Sequence, residues 1–447
     1  MRRNEAQAGG GPRRVLSLFD TTNLIVGIIV GAGIFVAAPV VARGVGSSVG
    51  VLALWLVGGL LSFCGAVGYA ELATTYPEQG GDYVYLTKAY GRLPGFLFGW
   101  LQTLVVRPGD IAVMAFVFST YADGLVGRWG IGKPVLAAAA VAVLTAVNVA
   151  GVRSGVRTQN ILTIAKVIGV SLVIVVAFLG PGTDPAPVEE LSPEQPVPLA
   201  IALILVLFSF GGWNETAFVA AEVREPRRNI VRAMLLGMTV VTVIYLAVNA
   251  SFLHVLGFDG LASSEAVAAE TVASVFPETA GSLVSALICL CALGAVNGLV
   301  FAGARIAYAV GRDHKLFGAL GKWSQRTGTP ARALIVQGCL SVILILVLGS
   351  FIDTVMYTAA AVYLFYLATS VAVIVLRFKD RSTPRAYKAT GYPVTTVIFC
   401  LVCLLLIVGA VQYRPWIAAA AGLLILLGVP GFWLSERGRR FPSRNGA

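Results

Sequence analysis

The sequence predicts an all-α integral membrane protein with about twelve membrane-spanning helices, and three observations carry that reading. Of the 447 residues, 57% are hydrophobic and only 12% are charged, where ordinary soluble domains carry about 25% charged residues. Mean hydropathy is +0.84, and the apolar residues fall in long uninterrupted blocks of bilayer length. Lys and Arg, finally, gather in alternate connections between those blocks, as membrane topology requires. The net charge of +11 is therefore a topology signal, and a nucleic-acid partner is not expected.

Taken in order, the apolar blocks lie at about 17–42, 48–74, 95–122, 134–151, 156–180, 197–220, 229–256, 279–309, 330–350, 353–376, 393–411 and 413–434. The N-terminus, MRRNEAQAGGGPRR, is basic and polar without a signal-peptide cleavage pattern, so the first block is a retained span. With that terminus placed on the cytoplasmic side, 26 Lys and Arg fall there and only four (Arg43, Arg128, Lys133, Arg414) fall opposite, leaving Arg107, Lys166 and Arg305 inside spans. The positive-inside rule then makes both termini cytoplasmic. Two outer connections, about 181–196 and 257–278, carry acidic residues and no Lys or Arg. The first is Pro-rich and reads as irregular. The second has helical spacing and is expected to lie across the outer mouth.

Two spans are interrupted where a helix should be continuous. The sixth contains FSFGGWNE, Phe208 to Glu215, with Gly211 and Gly212 adjacent. Each glycine costs roughly 1 kcal/mol relative to alanine in a helix. Asn214 and Glu215 are costly at that depth unless they face a partner or a water-filled cavity. The first span contains IIVGAGIF, Ile28 to Phe35, and Gly31 precedes Gly211 by 180 residues, the same offset as between the starts of their spans. Five spans separate the two starts, so the second unit enters the membrane from the opposite side. Close helix packing explains either stretch alone. The two in register point to the site of a secondary transporter built from inverted halves.

Opening both helices at mid-depth presents N–H groups that suit a carboxylate and C=O groups that suit an ammonium. A zwitterionic α-amino acid carries both. Ala32, Gly33 and Ile34 offer the amides, with Ile29 beside them, and Phe208, Ser209 and Gly211 offer the carbonyls. Phe208 and Phe210 are expected to close over a bound side chain as an aromatic lid. Lys166 sits mid-span, too deep to snorkel. It reads as a structural ammonium on neighbouring carbonyls, as a fixed or titrating cation tying the first span to the fifth, or as both. Arg107 and Asp110, in VVRPGD, are three apart on one face and are expected to pair. Glu215 either caps amides, pairs with Arg107, contacts substrate or exchanges protons.

Other chemistry finds no support. All six cysteines lie within apolar runs as small hydrophobes, and no metal or redox spacing emerges. His254 and His314, the only histidines, fall at or beyond span ends and read as interfacial or loop residues. A membrane-embedded enzyme is disfavoured for lack of a nucleophile–base or metal-ligand cluster, and no cofactor is expected. A channel is disfavoured because paired broken helices build an occluded site.

GAGIF in the first span resembles a signature of the amino acid–polyamine–organocation (APC) transporters. YAELATTYPEQGGDYVYLTKAYG (69–91) is similar to that superfamily's second-span exit and following loop. RPG at 107–109, FSFGGWNE, AEVREPRRNI (221–230) and NGLVFAGARIAYAVGRDHKLF (297–317) look more specifically like the L-type amino acid transporter (LAT) branch. The motifs cover roughly residues 17–330 and span count covers the rest; a prokaryotic member is expected. The resemblance implies a leucine-transporter-type fold, a five-plus-five inverted repeat with discontinuous helices 1 and 6. The implied layout is a cytoplasmic tail (1–14), a first five-helix repeat (15–180), an outer loop (181–196) and a second repeat (197–376). A cytoplasmic loop (377–392), two trailing helices (393–434) and a cytoplasmic tail (435–447) follow.

By the same resemblance, Ala32, Gly33 and Ile34 bind the substrate carboxylate, and backbone at Phe208, Ser209 and Gly211 takes the amine. Phe208 is the gating aromatic. Lys166 stands where sodium-coupled relatives hold a sodium ion, implying sodium-independent transport. Ala32 departs from the serine of many L-type members, and Glu215 stands where eukaryotic members usually carry a neutral residue. No cysteine occurs between the third and fourth spans, where eukaryotic members cross-link to a glycoprotein subunit, so no disulfide-linked heavy subunit is expected. The resulting expectation is a cytoplasmic-membrane (inner-membrane) transporter of neutral amino acids working as exchanger, uniporter or proton-linked permease. A carrier of cationic amino acids or polyamines is the alternative.

Overall fold

In the computed structural model, which describes residues 11–126, 132–180, 197–348, 351–413 and 415–436, all regular structure is helical apart from two isolated β-bridges. The first outer connection (181–196), residues 1–10 and residues 437–447 lie outside the described residues. Each of the twelve expected blocks falls on a helix or a helix pair. Among the described residues, seven helices are long and apolar enough to cross a membrane, and a bent pair counts as an eighth. Four further apolar helices are shorter.

The bent pair opens the chain. α1 (Leu18–Ile29) starts at a capping box, with Asp20 N donating to Ser17 Oγ at 3.2 Å and Ser17 N to Asp20 Oδ2 at 2.9 Å. It stops at Val30, and α2 (Gly33–Val45) leaves at 52°. After α3 (Ser48–Thr75) and α4 (Asp82–Tyr90), the helix α5 (Arg92–Leu101) continues through a π-turn at Gln102–Val106 into α6 (Arg107–Val126). Arg107 N reaches Gln102 O across that turn. Such single-turn π insertions rotate the residues that follow and recur at functional sites.

α7 (Lys133–Ala150) leads into α8 (Val152–Leu179), which is polar inside and apolar outside. Gln159, Thr163 and Lys166 are buried, whereas Ile161, Ile164, Ile168, Leu172 and Val175 form an exposed stripe. That inverts the pattern of a helix on a water-soluble protein and fits a surface against lipid. The second interrupted span is α9 (Leu199–Ser209), a turn at Phe210–Asn214, and the short α10 (Glu215–Phe218). α11 (Pro226–Ser263) turns at Gly257, whose φ of 68° is left-handed. α12 (Val267–Ala273) then packs on α2 and α8. The helical character expected of 257–278 is thus present.

α13 (Ala280–Asp313) is the central post, with 72% of its apolar window buried, and it packs on α1, α6 and α8. α14 (Ala331–Leu348), α15 (Phe351–Lys379), α16 (Val394–Tyr413) and α17 (Pro415–Glu436) complete the bundle. His314 lies in the connection just beyond α13, as the sequence indicates. It is only 2% exposed, wedged against Phe96 and Phe432, because α5 and α17 close over the end of α13.

The end of the bundle bearing the basic connections is tied together by hydrogen bonds. Val15 N and Leu16 N donate to Glu222 O at 2.8 and 2.9 Å, and Arg224 N donates to Leu16 O at 2.8 Å. Glu222 takes Arg305 in two parallel bonds (2.8 and 3.1 Å) and Gln79 Nε2 at 2.7 Å. This fork geometry satisfies a fully buried Arg and accounts for the in-span Arg305.

Candidate functional site

The two helix breaks meet. A Cβ placed on Gly33 would stand 3.4 Å from Ser209 Oγ, and one on Gly212 would stand 2.6 Å from Ile28 Cγ2. Gly212 also has φ of 113°, so its backbone and its close approach to α1 both require glycine. Tyr245, from α11, joins the breaks: its hydroxyl lies 2.7 Å from Ile29 O and 2.9 Å from Ser209 O. A hydroxyl donates one proton, so the two carbonyls share it.

A cavity of about 180 Å³ lies at this junction. Pockets for drug-sized ligands run to about 300–1,000 Å³, so the space suits a small metabolite. Of the sequence-predicted residues, Ile29, Ala32, Gly33 and Phe208 line it, as do Ser209, Gly211, Asn214 and Glu215. α2 begins here without a side-chain cap, and the first N–H groups of a helix have no partner within it. On the other break, Phe208 O accepts from Gly211 N at 2.9 Å. A larger recess of about 1090 Å³ lies among α2, α12 and α13, but Gly31 to Gly33 and the α9–α10 turn do not line it.

One expected residue is placed differently. Phe210 is fully buried away from the cavity, packed on Trp55 and Tyr245 with ring centroids 6.1 and 5.0 Å apart. It sits two residues beyond Phe208, just over half a helical turn round. Of the two, Phe208, 42% exposed, lines the cavity. The Ile34 side chain is buried at 1% exposure and does not line the cavity, leaving its backbone amide as what it offers.

Lys166 stands behind the first break. Its Nζ donates to Gly27 O (2.7 Å), Val30 O (3.0 Å) and Cys291 O (2.9 Å). Three donors meet three carbonyls, which fully satisfies an ammonium. A Cβ on Gly294 would stand 2.7 Å from Lys166 Nζ, so that glycine on α13 makes the room. The structural and tying readings of Lys166 are therefore one arrangement.

Arg107 does not direct its hydrogen bonds along its own helix to Asp110. Nη1 donates to Glu215 Oε1 at 2.7 Å and Nε to Gln102 Oε1 at 3.0 Å, while the guanidinium covers the Phe218 ring at 4.9 Å. Both Arg107 and Glu215 are buried. The π-turn supplies Gln102 as a second partner and re-aims Arg107 into the bundle. Next to them Tyr366 Oη donates to Asn214 Oδ1 at 3.0 Å.

Several site residues carried no sequence signal. Tyr245 is one tyrosine in an apolar run. Asp82, in the connection between α3 and α5, is 1% exposed and lines the cavity. Its Oδ1 accepts from Tyr69 Oη and from Thr369 Oγ1 at 2.6 Å. Burial raises its pKa to about 6, against those two hydrogen bonds, which pull it down. No group of three or more His, Cys, Asp or Glu suited to a metal occurs among the described residues.

The sequence profile of the amino acid permease family matches residues 16–427. The chain is 32% identical over 432 residues to b(0,+)-type amino acid transporter 1 of Mus musculus, covering 94% of this chain and 88% of that protein. It is 31% identical over 445 residues to large neutral amino acids transporter small subunit 2 of Homo sapiens, covering 96% and 82%.

Proposed function

The chain belongs to the amino acid permease family, and on that premise we propose that it carries neutral L-amino acids across a membrane by alternating access, without sodium. The observation that carries this reading is the convergence of two broken helices on one small cavity, joined by Tyr245. The substrate carboxylate is held by the amides of Ala32, Gly33 and Ile34, with Ile29 alongside. The ammonium is taken by carbonyls of Phe208, Ser209 and Gly211, and Phe208 gates the site. Lys166 replaces a metal cation at the first break, since its ammonium already satisfies the carbonyls such an ion would coordinate.

In this reading residues 15–180 and 197–376 are inverted five-helix repeats and 393–434 are two trailing helices. The termini face the cytoplasm, and the tied end of the bundle is the cytoplasmic gate. The membrane is the cytoplasmic one, and the protein works as exchanger, uniporter or proton-linked permease without a disulfide-linked heavy subunit.

Pairing with Arg107 compensates the Glu215 charge, which favours neutral over cationic substrates. Competition against uptake of a labelled neutral amino acid tests this. Neutral amino acids are expected to compete and lysine and putrescine to fail; the reverse order would make the cationic reading the correct one.

A further inference from the structure

Among the side chains lining the cavity, two carboxylates each hold an idle acceptor oxygen. Glu215 Oε1 is occupied by Arg107, whereas Oε2 is buried with no hydrogen-bond partner. Among the described residues, one other cavity-lining side chain holds a buried polar atom without a partner, Asp82 at Oδ2. Buried acceptors are nearly always satisfied in folded proteins, and leaving one idle costs free energy that an arriving donor recovers. Glu215 is set in place by the chain itself, since it opens α10 directly after the Phe210–Asn214 turn.

Resting on the amino acid reading above, we propose that Glu215 reads the substrate side chain. Its free oxygen accepts a hydrogen bond from a hydroxyl or a carboxamide, so the site prefers neutral amino acids bearing such a donor over their aliphatic isosteres. An acidic side chain meets the carboxylates and is repelled. A cationic one reaching Oε2 meets the Arg107 guanidinium, held 2.7 Å from the other oxygen of the same group. A hydroxyl or amide N–H satisfies the oxygen without adding charge. Sites built to hydrogen-bond a substrate group discriminate strongly against the analogue that lacks it, because their own polar group is left unpaired.

The test is ligand-induced thermal stabilisation of the purified full chain with paired amino acids: threonine against its isostere valine, and asparagine against leucine. Alanine serves as baseline and lysine as the cationic probe. Threonine is expected to act at a concentration at least about tenfold below valine, and asparagine below leucine, as suits a hydrogen bond to a charged group. Valine equal to or ahead of threonine, or lysine ahead of both, overturns the proposal while leaving amino acid binding intact. No response to any of them, alanine included, overturns the amino acid reading itself and this proposal with it.

A single Glu215 replacement strands a buried guanidinium, so the variant to use is the double one, Arg107→Met with Glu215→Leu. Exchanging a buried ion pair for apolar residues of similar volume is often neutral for stability. The double variant is expected to lose or reverse the threonine preference, read as the ratio of its threonine and valine responses. Retention of that preference excludes Glu215 as its source.

Discussion

Lys166 Nζ lies 2.7 Å from the carbonyl oxygen of Gly27, with the Val30 and Cys291 carbonyls completing its shell. The ammonium thus holds the end of α1 to α13. Lys166→Met leaves three buried carbonyls short of a partner, at about 1–3 kcal/mol for each left unsatisfied. Transport is expected to fall at least tenfold and the melting temperature with it. Gly294→Ala, whose methyl displaces the ammonium, is expected to resemble it. Wild-type uptake is expected to be equal in sodium and choline buffers; stimulation by sodium would refute the substitution of Lys166 for a metal ion.

Tyr245 joins the same break to its partner. Tyr245→Phe keeps the ring contacts with Trp55 and Phe210 and removes only the hydroxyl. A stability loss of about 1 kcal/mol is expected from the lost hydrogen bond, with a larger proportional loss of transport because the two breaks come uncoupled. Melting curves and initial uptake rates on the same preparation check this. A variant that melts lower yet transports normally would place Tyr245 outside the working site.

Much of this site was legible, and the reasons differ by residue. Adjacent glycines in an apolar run and a matching glycine 180 residues earlier are local features, so both breaks could be read from spacing alone. Lys166 was legible because a charge at mid-span has few explanations. Of the two partners the sequence offered Arg107, spacing favoured Asp110, three residues away, but the π-turn at Gln102–Val106 sends the guanidinium across to Glu215, 108 residues on. No composition rule marks a π-turn. Phe210 was assigned to the cavity by proximity to Phe208, and helical rotation took it elsewhere. The Asn148, Asn297 and Gln159 side chains, linked at 2.8 Å in both steps, show the same limit, since α7, α13 and α8 meet only in the folded bundle.

Asp82 gives the protein a pH signature. Its pKa is raised from 3.8 to about 6 chiefly by burial, an effect the hydrogen bonds from Tyr69 and Thr369 offset only in part, so ionisation opposes folding. A carboxyl with a raised folded value contributes its full stability below its ordinary pKa and loses it as pH rises through the folded one. Wild type is therefore expected to lose thermal stability relative to Asp82→Asn between about pH 4 and 6, with no further divergence above. A gap between the two proteins that stays constant with pH would contradict this. Tyr85, Tyr366 and the Arg107 charge act alongside, and the variant leaves all three in place.

The central claim is that the two converging breaks hold an amino acid for passage. The most direct measurement is uptake of a radiolabelled neutral amino acid panel into sodium-free proteoliposomes, with and without amino acids loaded inside. Saturable uptake of neutral members is expected, lost in Lys166→Met, and its dependence on internal amino acid separates an exchanger from a uniporter. Failure of every member to move, in loaded and empty vesicles alike, by protein that binds none of them, would contradict the account.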